Sequence, residues 1–379
     1  MNRIYLDNAA TTPMDPEVIE VMTVAMKEKF GNPSSIHSYG RESRAMIEMA
    51  RKNIAKMINC SPSEIIFTSG GTEADNMAIR CGMHDLGINH AITTKLEHHA
   101  VGHTLEMLEE RGDIKLSYVN VDDQGHVDLN HLQELLANNE RSFVSLMHAN
   151  NEIGTKLDIK KVGDICKAHN AIFHSDTVQT MCHYPYDLQD INVDFVTCSA
   201  HKFHGPKGVG FLYVKADHKV CPLIHGGSQE RNLRGGTENF IGILGLEKAM
   251  EVAHRDMEEH INHVQGLKTY MIEKLEAEMP GVRFNGDAKG DSLYTVLNVS
   301  FPKNDSGSML LFNLDIHGIA ASGGSACTSG SNQGSHVLRG INADMNRPSL
   351  RFSFSRFNKK EEIDFVVERL KDFFPIEVA

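Results

Sequence analysis

The sequence predicts an α/β protein built on a mainly parallel sheet. Short runs rich in apolar and β-branched residues alternate with longer stretches of helical pattern, which is typical of strand–helix–strand units. Each run is apolar almost throughout, as expected of strands that are covered on both faces. The predicted strands are residues 64–69, 90–94, 116–121, 143–148, 171–176, 195–200 and 209–214.

The pattern changes after residue 214. A Gly-rich polar loop is followed by a helical pattern from 240 to 278, which would connect two domains if it forms one helix. Two predicted strands (293–302 and 351–354) and an amphipathic helix (358–374) come next. We therefore expect a second, smaller α+β domain from about residue 256 onward.

Composition and charge exclude several classes of protein. The 379 residues are 41% hydrophobic and 23% charged, as in an ordinary globular protein of two or three domains. A formal net charge of −12 argues against electrostatic binding of nucleic acid, and no apolar run reaches the roughly 18 residues that span a bilayer. The seven cysteines include no CxxC pair, so they predict free thiols rather than disulfides or a zinc ribbon. Because the first residues resemble neither a signal peptide nor a transit peptide, a cytoplasmic protein is expected.

Polar residues directly follow two of the predicted strands. Gly71 and Thr72 open a helix after residues 64–69, where backbone N–H groups and a hydroxyl can approach an anion. An ordinary β–α turn is the alternative. Asp176 ends the strand 171–176 at its carboxyl end, where open α/β sheets bind ligands. A helix-capping aspartate is the alternative there.

Basic residues follow two further strands. Lys202 lies next to His201, His204 and Lys207, and a desolvated lysine near other cations becomes a nucleophilic amine. The alternative is a solvated surface loop. His201 and His204 have a spacing found among metal ligands, but no third ligand is close in sequence, so no metal site is predicted. His98 can stack on a planar ligand or move a proton, unless it only caps a helix or packs in the core.

Two residues in the C-terminal part complete the set of candidates. Cys327 lies in a Gly/Ser-rich loop, residues 322–335, where an exposed, mobile thiol is a candidate nucleophile. A tolerated surface cysteine is the alternative. Arg351 is suited to hold a carboxylate through a bidentate contact, or else forms a surface salt bridge. If these residues lie in one pocket, they would suit pyridoxal phosphate (PLP) and an amino-acid substrate. Together they supply an anion-binding site, a carboxylate, an amine, an imidazole, a thiol and a guanidinium.

The sequence resembles the NifS/IscS-type cysteine desulfurases, which are PLP enzymes of the class-V aminotransferase family and of fold type I. The likeness extends over nearly the whole chain in motifs that follow one order. These motifs are YLDNAATTP (5–13), GNPSSIH (31–37), FTSGGTEADN (67–76), EHHAV (97–101), NNEIG (150–154), HSDTVQ (174–179), HKFHGPKG (201–208), RGGTEN (234–239), GSACTSG (324–330), SHVL (335–338) and RFSFSRF (351–357).

The resemblance implies a role for each candidate residue. Lys202 is expected to hold PLP covalently and to remove the α-proton, Asp176 to pair with the ring nitrogen, and His98 to stack on the ring. Cys327 is expected to receive the substrate sulfur as a persulfide. The other implied contacts are Gly71, Thr72, Ser199 and His201 at the phosphate, Thr237 at the phosphate from the other subunit, Gln179 at the phenolic oxygen, Asn151 near the cofactor and the substrate carboxylate, and Arg351 at that carboxylate.

The resemblance also implies an architecture and partners. It implies a large PLP-binding domain, residues 13–255, and a small domain of residues 1–12 and 256–379 that carries the Cys327 loop. It implies a homodimer that converts L-cysteine to L-alanine and passes sulfur to an acceptor or iron–sulfur scaffold protein, without a nucleic-acid or membrane partner. No resident metal is implied, although Cys327 can transiently ligate an iron–sulfur cluster.

Other interpretations remain open at this level. A selenocysteine lyase or an aminotransferase would share the fold, although an aminotransferase does not need Cys327. A non-catalytic scaffold for sulfur or iron–sulfur assembly is an alternative from another class. A zinc hydrolase built on four histidines is another: His98, His99, His201 and His204.

The chain departs from the usual family pattern at a few positions. The usual Gly-Lys pair is Cys182-His183, and the usual proline before SHVL is Gly334. Leu157 and Ser355 are the other departures. None of them removes a group to which the resemblance assigns chemistry.

Overall fold

The computed structural model describes residues 3–139, 141–303, 309–323 and 334–374. Its helices are α1 (Pro16–Glu28), α2 (Ser38–Met57), α3 (Gly71–Asn76), α4 (Gly82–Asp85), α5 (His99–Glu110), α6 (Leu129–Ala137), α7 (Ile159–Ala168), α8 (Phe240–Arg255), α9 (Met257–Glu278), α10 (Leu310–Ile316), α11 (His336–Gly340) and α12 (Lys360–Phe373). Its strands are β1 (Ile4–Tyr5), β2 (Ile65–Thr68), β3 (His90–Thr93), β4 (Lys115–Tyr118), β5 (Phe143–Ser145), β6 (Ile172–Asp176), β7 (Phe195–Ser199), β8 (Gly210–Val214), β9 (Arg283–Asn285), β10 (Val296–Ser300), β11 (Ile319–Ala320) and β12 (Ser349–Ser353).

A seven-stranded sheet forms the centre of the molecule. Its strand order is β2-β8-β7-β6-β5-β3-β4, and β8 alone among these strands runs against the others. The prediction of an α/β fold with a mainly parallel sheet is therefore confirmed. Each predicted strand between residues 64 and 214 overlaps an observed one, and all of these observed strands except the edge strand β4 are buried throughout. Burial on both faces explains why their sequences are apolar rather than alternating.

The remaining strands form smaller sheets. β10 pairs antiparallel with both β9 and β12, and β1 pairs in parallel with β11. The sequence predicted β10 and β12 but not β1, β9 or β11, which have only two or three residues each. Such short strands exist because a distant segment pairs with them, so a local pattern carries little sign of them.

The helical pattern from 240 to 278 forms two helices rather than one. α8 ends at Arg255, Asp256 leaves the helical conformation (φ −108°, ψ 15°), and α9 begins at Met257. These residues therefore do not form one helix that connects two domains. The apolar side chains of α8 pack in the cluster that also holds α1 and α2, whereas those of α9 pack with β10 and α12.

Three main hydrophobic clusters organise the packing. Two of them lie on the two faces of the central sheet. One contains residues of α1, α2, α7 and α8, and the other contains residues of α3, α5 and the π-helical segment Met77–Cys81 between α3 and α4. The third joins β1, β10 and β12 to α9, α10 and α12. Within the described ranges, no helix is both long and apolar enough to cross a membrane.

Two of the family departures have local backbone explanations. Cys182 adopts the left-handed region (φ 66°), where glycine, the usual residue, has no steric penalty. Gly334 also has a positive φ, 67°, which a proline ring, fixed near φ −65°, does not allow. The turn before α11 therefore differs in backbone conformation from one that carries the usual proline.

Candidate active site

The candidate residues lie at one edge of the central sheet because parallel strands end there together. Asp176 ends β6, and Lys202 lies in the single 3-10 turn (Ala200–Lys202) that follows β7. Gly71 and His98 come shortly after β2 and β3, at the first helical residue and the N-cap of their helices. This is the edge at which open α/β sheets bind ligands.

A cavity of about 230 Å³ opens at this edge. Its lining contains ten of the twelve predicted residues: Gly71, Thr72, His98, Asn151, Asp176, Gln179, Ser199, His201, Lys202 and Arg351. It also contains residues that the sequence did not single out: Ala9, Ala10, Asp75, Met147, Ala149 and Val178. The structure therefore brings together predicted residues that are far apart in the sequence, from Gly71 to Arg351.

The two other predicted residues are not in this lining. Thr237 is exposed and lines a separate cavity of about 150 Å³ beside Gly236 and Arg234. Its implied contact from a second subunit stays a prediction. Cys327 lies outside the described residues.

Lys202 is held by the N-terminal segment of the chain. Its Nζ donates hydrogen bonds to the carbonyl oxygens of Ala9 (2.6 Å) and Ala10 (2.9 Å). The Gln179 side chain donates to the same Ala9 oxygen at 3.1 Å. The alternative of a solvated surface loop is therefore wrong for Lys202, whereas Lys207 is exposed. No local pattern around Lys202 indicates this contact, because its partners are about 190 residues away.

Asp176 is a buried carboxylate at the end of β6. Its Oδ1 accepts a hydrogen bond from the Val178 backbone N–H at 2.9 Å, so it does cap the following turn. Burial, followed by the charge of nearby Asp75, raises the pKa of Asp176 to about 7. The capping and cavity-lining roles, considered as alternatives in the sequence, are both present.

His98 combines two roles in the same way. It is the N-cap residue of α5, and its Nδ1 accepts a hydrogen bond from the Ala100 N–H at 3.2 Å. Burial, together with the positive charge of Lys202, lowers the pKa of His98 to about 4. The ring is therefore neutral near pH 7, and since Nδ1 is an acceptor, its proton is on Nε2.

Small residues let the backbone approach the cavity at α3. A Cβ atom on Gly71 would lie 2.8 Å from Val178 Cγ2, closer than side-chain carbons approach each other. The N–H groups at the start of α3 and the hydroxyls of Thr72 and Ser199 are therefore available to an anion in the cavity. His201 lies beside them, with its Nδ1 3.1 Å from Thr11 Oγ1.

Arg351 is a buried arginine rather than part of a surface salt bridge. It is 1% exposed, and its guanidinium donates to the Asn151 carbonyl oxygen (2.9 Å) and to Asp7 Oδ1 (2.8 Å). Within the described residues, its Nε is buried and has no hydrogen-bond partner. A donor of this kind is costly, and because Arg351 lines the cavity, its guanidinium favours an anionic group there.

The histidines proposed for a zinc hydrolase do not converge. Within the described part of the chain, His99, His201 and His204 do not join His98 in any group of clustered metal-ligating atoms. His204 instead has its Nδ1 2.8 Å from the Pro13 carbonyl oxygen. The geometry therefore does not support the hydrolase alternative.

Buried neutral histidines make the folded protein sensitive to acid. Burial lowers the pKa of His148 to about 3. It lowers the pKa of five others to about 4: His98, His174, His183, His201 and His204. Between pH 6.5 and about 4 the unfolded chain binds more protons at these positions than the folded chain, so the free energy of unfolding falls as pH falls. Fewer groups act in the opposite direction: the carboxyls of Asp75, Asp176 and Glu97, whose pKa burial raises.

We therefore expect the protein without cofactor to lose stability from pH 6.5 to pH 4 in urea unfolding experiments. His148→Gln should reduce this slope, because His148 is buried against Tyr186. The matched control His84→Gln should not, because the His84 side chain is 87% exposed. A free energy of unfolding that stays constant or rises toward pH 4 would show that these histidines do not control the stability in acid.

Comparisons with known proteins agree with this geometry. The family described as aminotransferase class-V matches residues 4–366. A cysteine desulfurase IscS of Dictyoglomus turgidum is 45% identical over 372 residues, which is 97% of this chain and 93% of the relative. A solved NifS-like protein has a TM-score of 0.90 at 37% identity and covers 98% of this chain and 99% of its own. Another, described as SspA in complex with cysteine, has a TM-score of 0.81 at 31% identity, with coverage of 94% and 100%.

Proposed function

The chain belongs to the class-V aminotransferase family, and from that membership we propose that it is a PLP-dependent cysteine desulfurase. It removes sulfur from L-cysteine and leaves L-alanine. One observation carries this proposal: ten predicted residues line a single cavity at the carboxyl edge of the sheet. The substrate is supported by the relative named cysteine desulfurase and by the structural neighbour in complex with cysteine.

The chemistry of the cavity lining fits PLP. The close approach at Gly71 and the buried, unpartnered Nε of Arg351 both favour anionic groups. When bound, PLP supplies an electron sink for the negative charge that develops at the substrate α-carbon. The residues that would hold it are Gly71, Thr72, Ser199 and His201 at the phosphate, Asp176 at the ring nitrogen, Gln179 at the phenolic oxygen, His98 at the ring face, Asn151 nearby, and Lys202 through a covalent bond.

Lys202 moves the substrate proton, and His98 lies beside it as a neutral ring. The two carbonyl contacts of Lys202 fix its amine at one point in the cavity. We infer that its Nζ removes the α-proton of cysteine. His98 is neutral with its proton on Nε2, so it can lie against an aromatic ring without adding a positive charge beside Lys202.

Arg351 binds the substrate carboxylate in this proposal. Its guanidinium is already oriented by Asn151 and Asp7, and its Nε is the donor left without an acceptor. A guanidinium that other groups hold in place loses little entropy when it binds a carboxylate. This explains why a buried arginine is present at a point where the described residues offer it one carboxylate, that of Asp7.

Cys327 receives the sulfur. Its thiolate attacks the sulfur of bound cysteine, and an S–S bond forms as the C–S bond breaks. The electron pair passes to the β-carbon, which is then protonated, and the α-carbon regains the proton that Lys202 removed. The products are L-alanine and a persulfide on Cys327. The support for this step is the GSACTSG motif and the family to which the chain belongs.

A homodimer is part of the proposal. Large apolar side chains are exposed along α1, α2 and the segment between them, including Met26 (60%), Phe30 (78%) and Ile36 (90%). An exposed apolar surface of this kind is typical of a protein interface. The protein that covers this surface is a second copy of the chain. In the dimer, Thr237 of each copy contacts the phosphate bound in the other copy.

The sulfur leaves the enzyme on a protein acceptor or an iron–sulfur scaffold protein, since a persulfide transfers its outer sulfur to another thiol. A cytoplasmic location is proposed from the cysteine usage. The six cysteines within the described ranges are all free thiols, which is typical of a reducing compartment.

The visible absorption spectrum of the purified protein, recorded before and after L-cysteine is added, tests the function. We expect a yellow band that changes with cysteine, together with equal amounts of alanine and of sulfide released by a thiol reductant. A band that responds only to another amino acid would assign a different substrate, and a faster reaction with selenocysteine would favour a lyase. A protein that stays colourless after incubation with PLP would favour the non-catalytic scaffold.

A further inference from the structure

Asp75 is a buried carboxyl group that the proposed function does not use. It is one helical turn beyond Thr72, it is 1% exposed, and it lines the same cavity. Its Oδ1 has no hydrogen-bond partner and lies 3.4 Å from His174 Nε2. A buried carboxylate oxygen without a donor is unfavourable when it carries a charge.

Asp75 shares its surroundings with Asp176. A carboxylate oxygen from each, together with a ring nitrogen of His98, lies within 4.8 Å of the others. Two carboxylates so close in a buried site repel each other strongly, so one of them holds a proton. Burial raises the pKa of both carboxyl groups to about 7, and a negative charge on Asp75 contributes to the rise at Asp176, so the charges of the two groups interact.

The contacts of the two groups decide which one is neutral. Asp176 accepts a backbone N–H from Val178, and the positive charge of Lys202 lowers its pKa. Among the described residues, Asp75 receives one hydrogen bond that stabilises its charge, from the hydroxyl of Thr197, and its Oδ1 has no donor. Asp176 therefore carries the negative charge more readily than Asp75. A cationic ring nitrogen bound against Asp176 would increase this difference in proton affinity between the two carboxyl groups.

The other titratable groups that face the pair do not reverse this order. His174 lies between them on β6, and burial lowers its pKa to about 4, so it is neutral. His98 at the start of α5 is neutral for the same reason. Glu97 is also buried, and burial raises its pKa, which favours the neutral acid. Its Oε1 accepts a hydrogen bond from the Met147 N–H.

We propose that Asp75 is a positioning residue that stays protonated in the wall of the cavity and thereby leaves the single negative charge of the pair on Asp176. The inference rests on the proposed function for its link to PLP, but the location of the proton is a property of this chain alone. Ionisation of Asp75 would place a second charge beside Asp176 and draw the proton of the ring nitrogen toward the pair. We therefore expect PLP binding to weaken at the pH where Asp75 ionises.

Asp75→Asn tests the location of the proton. The amide has the size of the protonated acid but cannot ionise. In infrared spectra of the protein without cofactor at pH 6, we expect the carbonyl stretch of one protonated carboxylic acid to disappear in this variant. Glu97→Gln assigns the band of the second buried acid. Asp113→Asn, an exposed aspartate, is the matched control and should change neither band.

The dissociation constant of PLP, measured at pH 7 and pH 9, tests the consequence. The Asp75→Asn variant should bind PLP within about threefold of the wild type at pH 7. From pH 7 to pH 9 the wild type should weaken by about tenfold more than the variant, since one pKa unit of interaction corresponds to tenfold. Comparing the two proteins cancels the titration of Lys202 and of PLP itself, which both share.

Several results would overturn the proposal. An infrared acid band that survives in Asp75→Asn would mean that Asp75 is ionised, and an equal pH dependence in both proteins would mean that its charge does not reach Asp176. If the variant does not fold, pH titration of the wild-type acid bands decides, because the bands of Asp75 and Glu97 must persist to a higher pH than the band of Asp176. A wild type that does not bind PLP at all would refute the proposed function, while the infrared result would still locate the proton.

Discussion

Replacing Lys202 with alanine is expected to lower desulfurase activity by at least about a thousandfold, because the variant loses both the covalent attachment of PLP and the base for the α-proton. The remaining lining of the cavity should still bind PLP non-covalently. Alanine formation measures the activity. Borohydride reduction followed by unfolding and gel filtration measures covalent attachment, which we expect in the wild type and not in the variant.

Lys207→Ala is the matched control for this experiment. Lys207 is five positions further along the chain and exposed, so its removal should leave both activity and covalent PLP unchanged. Thermal unfolding of the Lys202 variant and of the control distinguishes loss of structure from loss of the amine. Covalent PLP in a folded Lys202→Ala protein would show that another amine carries the cofactor and would refute the assignment.

Replacing Cys327 with alanine is expected to separate cofactor chemistry from sulfur transfer. The variant should bind PLP and show the spectral change with L-cysteine, because no residue of the described cavity is altered. Sulfide and alanine should fall by at least about a hundredfold, since the nucleophile that accepts the sulfur is missing. Mass spectrometry after a brief reaction should detect one added sulfur atom on Cys327 in the wild type.

Cys221→Ala is the matched control for the thiol. Cys221 is exposed and lines a different cavity, beside Asp85 and Cys81. Its loss should change neither sulfide release nor the persulfide on Cys327. Unchanged turnover in Cys327→Ala, or an added sulfur that appears on another cysteine, would contradict the role proposed for Cys327.

Much of the fold followed from local patterns. The seven strands of the central sheet were predicted because strands buried on both faces must be apolar throughout, and the helices between them because βαβ connections have a helical period. The break at Asp256 was missed because nothing in the periodicity of residues 240–278 marks it. It separates apolar faces that pack in different clusters, α8 with α1 and α2, and α9 with β10 and α12.

The candidate site was predictable where strand ends bear polar residues. Asp176, Lys202 and His98 all follow predicted strands, and their convergence is a property of parallel sheets. Asp75 was missed because it lies inside a helix, where an acidic residue is ordinarily solvated. Its only local signal is that apolar residues surround it in the run ADNMAI. Ala9 was missed because a backbone carbonyl acts there, and every residue has one.

The sequence by itself determined which chemical groups the site contains. Their places after predicted strands indicated that these groups meet at one edge of the sheet, because the carboxyl ends of parallel strands lie together. Only the tertiary structure decided their charges and orientations. The proton on His98 Nε2 depends on the Ala100 N–H, and the raised pKa of Asp176 depends on burial and on Asp75. Such properties depend on distances between side chains and on exclusion of water, and these exist only once the chain has folded.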